Sequence, residues 1–105
     1  MKKIYLSAPY TIHPEACFMA VNRKSAELMI QGNIIFSPIS HSHPIAVQED
    51  LPNTHEFWML QDLPFIEFCD ELYVLQLEYW EQSKGVQKEI EYATKLGKPI
   101  KYILP

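Results

Sequence analysis

The chain has 105 residues, of which 48% are hydrophobic and 21% charged, with eight prolines and a formal net charge of -4 at pH 7. That length fits one domain with a modest core and excludes a catalytic domain plus a second lobe, while the hydrophobic share excludes a disordered chain. The acidic balance leaves no footprint for a nucleic-acid polymer, so a small-molecule partner is expected; a single phosphate needs only a local nest or a helix start. Cys17 and Cys69 supply no disulfide framework and read as packing residues. No apolar run reaches transmembrane length, and two lysines lead directly into a strand with no signal-peptide pattern. A cytoplasmic location with no membrane partner is therefore expected.

Ile4, Tyr5 and Leu6 open a first strand that ends in Ser7, Ala8, Pro9 and Tyr10, a tight loop at the carboxyl edge of a sheet. Tyr10 either covers the strand end or offers its phenol to a ligand. A helix is predicted from Pro14 to Gln31, with Phe18, Val21, Leu28 and Met29 as its apolar face and Gly32-Asn33 as its stop. Ile34 to Phe36 form a second strand, again ending in serine and proline at Ser37-Pro38.

From Ile39 to Thr54 the composition predicts a loop of roughly fifteen residues, a length usually tied to function or mobility. In an extended chain His41 and His43 point the same way. No Cys or Asp completes a metal set with them, and His55 follows without a zinc-site spacing, so no metal is expected. The open alternatives are contact with a ligand, orientation of an acidic residue, or plain capping and packing.

A strongly apolar helix is predicted from Thr54 or His55 to Phe68, carrying Trp58, Leu60, Phe65, Ile66 and Phe68. Pro64 removes a backbone donor and clashes with the carbonyl four residues back, which predicts a kink or restart near Gln61 and Asp62. Asp70, at the opposite end of the following strand, reads as a turn cap, which leaves Asp62 as the better partner for a buried acid. The run Leu72 to Leu77 has the continuous apolar character of a strand buried on both faces.

After that strand come Tyr79 and Trp80, which either stack on a flat ring or fill a gap between loops or subunits. Ser83 is the predicted N-cap of a last helix running to Leu96, and Ser83 with Gly85 forms an anion seat at its start. Ser83-Lys84-Gly85 is not a Walker motif, and the first strand lacks the glycines of a dinucleotide fingerprint. At about 100° per residue Val86, Ile90 and Ala93 make the buried stripe, and Glu89 falls inside it. A carboxylate in an apolar seam costs several kcal/mol unless it is bonded. Either Glu89 is a site residue leaning toward the carboxyl end of the preceding strand, or it reaches water or a lysine at the edge of the stripe. Gly97-Lys98-Pro99 ends the helix before a final strand, Ile100 to Leu104.

Short apolar runs alternate with helical patterns throughout, predicting an α/β, three-layer Rossmann-like (flavodoxin-like) fold: a short parallel sheet of about four strands flanked by helices. Right-handed crossovers then bring Tyr10, the Ser37 to His43 segment and the start of the last helix to one sheet edge.

In four places the sequence resembles the nucleoside 2-deoxyribosyltransferase superfamily, and more narrowly its short bacterial and phage branch. These are Ile4 to Tyr10; Ser37 to Ile45 with His41-Ser42-His43-Pro44; the segment around Asp62 and Asp70; and Ser83, Gly85, Glu89 and Ala93 with Gly97-Lys98-Pro99. The resemblance implies that Glu89 is the nucleophile that attacks the anomeric carbon. It further implies that Tyr10 orients the glutamate or the sugar and that Asp62 handles the base or its leaving nitrogen. Ser83 matches the position that contacts the 5'-phosphate in the nucleotide-hydrolysing branch. Ser7, Pro9, His41, His43, Trp80, Ser83 and Gly85 are then the expected substrate contacts. The reaction expected is N-glycosidic cleavage of a (deoxy)ribonucleoside 5'-monophosphate without a cofactor; the alternatives are deoxyribosyl transfer between bases and nucleotide binding without chemistry. A homo-oligomer, dimer or tetramer, is also implied.

Overall fold

In the computed structural model, which describes residues 1–105, four parallel strands are interleaved with four helices. The strands are β1 (Lys3–Ser7), β2 (Ile34–Phe36), β3 (Glu71–Leu75) and β4 (Ile100–Ile103), in the spatial order β2-β1-β3-β4. The helices are α1 (Pro14–Ile30), α2 (Pro38–Gln48), α3 (His55–Phe68) and α4 (Lys84–Lys95), with a short 3-10 turn at Trp80–Gln82. This is the expected Rossmann-like arrangement. Strand order reverses between β1 and β3, and the carboxyl ends of those two strands border the crevice where open α/β sheets take ligands.

Strand periodicity divides the core into two layers. Ile4, Leu6 and Ala8 of the first strand and its end, with Tyr73 and Leu75 of β3, pack with Val21, Leu28 and Ile39 on the α1/α2 side. The intervening residues Tyr5, Leu72 and Val74 pack with Ile66, Val86 and Ala93 on the α3/α4 side. Tyr5 and Ser7 therefore face the same helix layer as α4. Gly32 (φ 98°) and Gly97 (φ 73°) supply the left-handed residues after α1 and α4. Asp70 accepts a hydrogen bond from the Lys3 amide at 2.9 Å, at the end of the sheet away from the crevice.

Two expectations need correction. The segment after Ser37 is not a long loop: Pro38–Gln48 is helical, because Ser37 caps it by accepting from the Ser40 amide at 3.3 Å and Pro38 occupies the first turn, where its missing donor costs nothing. In a helix, residues two apart diverge by about 200°. His43 is accordingly buried while His41 is exposed, beside Phe36 and bonded to Ser42. The second correction concerns α3, which runs unbroken through Pro64; Pro64 and Leu60 are both exposed, so the carbonyl deprived of its partner lies on the solvent side. The apolar residues of α3 are mostly outside the core. Only Ile66 is buried, while Leu60 (79%), Phe65 and Phe68 are exposed, as is Met29 of α1.

Candidate active site

A cavity of about 460 Å³ opens at the crevice, lined by the loop after β1, the start of α2, one side of α3 and the amino end of α4. It is within the size range of roughly 300–1,000 Å³ common for small-molecule sites. Glu89, one and a half turns into α4, reaches this cavity although only 4% of it is exposed. Its two oxygens are held from the strand side: the Tyr5 hydroxyl donates to Oε2, and the Ser7 hydroxyl donates to Oε1 at 2.7 Å. The buried acid in the apolar stripe is thus satisfied by two hydroxyls spaced two residues apart on β1, so that both point from one face.

The electrostatics place this carboxyl near neutrality. Burial pushes the Glu89 carboxyl up to about 7 against the pull of the Tyr5 and Ser7 hydrogen bonds, which favour the ionised form, and the nearby Asp62 charge adds to the rise. Asp62, on the face of α3 toward the cavity, is pushed up to about 6 by burial. It makes no hydrogen bond to Glu89; the two acids interact through their charges, and the expected direct partnership is replaced by Tyr5 and Ser7. The Tyr5 phenol is driven well above the ordinary tyrosine value, by burial first and then by the Glu89 charge, and stays a donor.

Tyr10 also lines the cavity; of its two expected roles, orienting the glutamate falls to the Tyr5 phenol instead. The Tyr10 hydroxyl lies 2.6 Å from His43 Nδ1, and His43 Nε2 lies 2.8 Å from Glu15 of α1. Phe18 closes over the imidazole with ring centroids 4.5 Å apart. Ser83 caps α4 by accepting from the Val86 amide at 3.2 Å, and it borders the cavity with Lys84 and Gly85. The amides of Lys84 and Gly85, in the first turn, have no intrahelical acceptor. Pro9 borders the cavity too, whereas Ser7 lies behind Glu89, His41 is on the outer surface, and Trp80 packs against Tyr102 at 5.4 Å. Of the aromatic pair it is Tyr79 that faces the cavity, from a left-handed backbone (φ 71°) unusual for a bulky residue.

Sequence reasoning misses two residues. Tyr5 has a usable signal, its two-residue spacing from Ser7, whereas nothing in the sequence ties Glu15 to a histidine 28 positions on. No group of three His, Cys, Asp or Glu side chains is arranged to hold a metal.

Residues 2–103 match the model of a family described as a domain of unknown function, DUF1937. The chain belongs to that family. No curated protein matches it. Among solved structures it is similar to a 2-deoxyribosyltransferase from the psychrotolerant bacterium Bacillus psychrosaccharolyticus, at 23% identity and a TM-score of 0.66, covering 98% of this chain and 72% of that one. It is also similar to a 2-deoxyribosyltransferase from Leishmania mexicana, at 19% identity and a TM-score of 0.68, covering 99% of this chain and 65% of that one. This member of the DUF1937 family shares their fold in a shorter chain. No helix in it is long and apolar enough to cross a membrane.

Proposed function

We propose that the protein cleaves the N-glycosidic bond of a ribo- or deoxyribonucleoside 5'-monophosphate, with Glu89 as nucleophile. The observation that carries the reading is a nearly inaccessible carboxyl at the cavity wall, gripped from behind by Tyr5 and Ser7 and flanked by a second acid, Asp62. Departure of the base builds positive charge on the sugar ring, which a carboxylate at the anomeric carbon stabilises and then captures as an ester. The electrons of the breaking carbon–nitrogen bond leave with the base. Asp62 supplies the proton that the base nitrogen needs, a task suited to an acid titrating near 6. Water then hydrolyses the ester, its hydroxyl joining the anomeric carbon and its other proton passing to solvent, which releases sugar 5-phosphate and restores the Glu89 carboxylate, while Asp62 regains a proton from solvent. Ser83 and the free amides at the start of α4 hold the 5'-phosphate, aided by the positive end of the helix dipole and by Lys84. The exposed apolar residues of α3, Leu60, Phe65 and Phe68, support a homo-oligomeric assembly.

The test is a panel of ribo- and deoxyribonucleoside monophosphates incubated with the wild type and with Glu89→Gln. Base release by the wild type alone, with the variant still folded, is the expected result. Ligand binding by the wild type without release of base makes the protein a nucleotide-binding module instead.

A further inference from the structure

The cavity holds a second polar constellation that takes no part in gripping Glu89. His43 is 6% exposed and bonded at both ring nitrogens, to the Tyr10 hydroxyl on the cavity side and to the carboxylate of Glu15, whose side chain is 74% exposed, on the solvent side. Glu15 accepts only, so it fixes the proton of a neutral imidazole on Nε2 and leaves Nδ1 as an acceptor. The Tyr10 hydroxyl must then donate inward to Nδ1, and its oxygen lone pairs are left for a donor in the cavity. This is the hydroxyl–imidazole–carboxylate order of a catalytic triad, with a phenol at its head. Phe18 covers one side of the imidazole, and Glu15 connects the far end to bulk water.

We propose that Tyr10, His43 and Glu15 form a proton relay that deprotonates the water attacking the glycosyl ester on Glu89, which makes the protein a hydrolase rather than a transferase; this rests on the Glu89 reading above. In the step, the water oxygen bonds to the anomeric carbon and the ester bond breaks, its electron pair returning to the Glu89 carboxylate. The proton of the water passes to the Tyr10 oxygen as Tyr10's own proton passes to His43 Nδ1. The resulting imidazolium is held by Glu15 and loses its surplus proton to solvent after the product leaves. Tyr10 is the catalytic residue of the relay, touching the water, and His43 and Glu15 are positioning residues acting through it.

The experiment compares wild type, Tyr10→Phe, Glu15→Gln and Glu89→Gln by rapid quench, on the monophosphate panel, with and without sodium azide. Azide carries no proton to lose, so attack by azide on the anomeric carbon needs no base. Tyr10→Phe and Glu15→Gln are expected to keep an initial burst of base near one per site while steady release falls roughly 100-fold or more for Tyr10→Phe and less for Glu15→Gln. Azide is expected to restore turnover in both, with a glycosyl azide as product, which a merely structural role for these residues would not produce. Glu15 is at the surface, so its substitution leaves the core intact. Wild-type rates in both variants, or equal loss of burst and steady release without azide rescue, overturn the relay while loss of release in Glu89→Gln upholds the nucleophile. Absence of base release by the wild type overturns the nucleophile and the relay together.

Discussion

Glu89→Gln separates what the site costs the fold from what it does. The Glu89 carboxyl rises from 4.5 to about 7 on folding, chiefly through burial. In the unfolded chain the same group ionises near its ordinary value, so between about 4.5 and 7 the native state binds more protons than the unfolded one, and stability falls as pH rises. The contribution is intact below the unfolded value and lost as pH passes the folded value. A shift of that size, at 1.36 kcal/mol per pH unit, corresponds to roughly 3 kcal/mol. The glutamine side chain of the variant cannot ionise and escapes the loss, although its amide suits only one of the two donating hydroxyls, so the net gain at pH 8 is roughly 1–2 kcal/mol after the cost of a mismatched hydrogen bond. For a domain of this size that is a rise of roughly 4–8 °C in Tm per kcal/mol. At pH 5 the wild-type carboxyl is already protonated in the fold, and the advantage of the variant should disappear or reverse. Thermal melts of both proteins at pH 5 and pH 8, followed by circular dichroism, test this. A difference in Tm between variant and wild type that is the same at both pH values would refute a carboxyl that titrates near neutrality in the native state.

Tyr5→Phe keeps the ring in the core but removes a donor to the carboxylate, so Glu89 should ionise at still higher pH; the acidic limb of kcat/KM should move up, and an unmoved limb would show that Tyr5 does not bear on the ionisation. Ser83→Ala should lose about 1 kcal/mol through the missing cap of α4. If Ser83 also holds phosphate, its KM for a monophosphate should rise by about tenfold, the effect of one lost hydrogen bond to a charged group, while that for the free nucleoside stays level. Ser25→Ala removes a buried hydroxyl that has no hydrogen-bond partner and should stabilise by about 1 kcal/mol, raising Tm by several degrees; a lower Tm would mean that the hydroxyl is bonded.

The alternation of strands and helices, the buried β3, the Ser83 cap and the placement of Glu89 in an apolar stripe are all legible in the residues alone, because they follow from local periodicity and from capping chemistry spanning a few residues. The sequence misled at Ser37 to Gln48, where prolines, serines and histidines have loop composition; the serine followed by proline that looks like a strand ending is equally a helix start, and the Ser37 cap together with packing against α1 selects the second. For α3 it left burial open, since an apolar stretch does not say which neighbours are present to cover it. Which side chains meet, by contrast, is set by how the chain folds back on itself. Tyr5 and Ser7 reach Glu89 from more than eighty residues away, and Tyr10, His43 and Glu15 are joined across three different segments. Such contacts depend on the order of strands in the sheet and on which layer each helix occupies, and no local pattern encodes either.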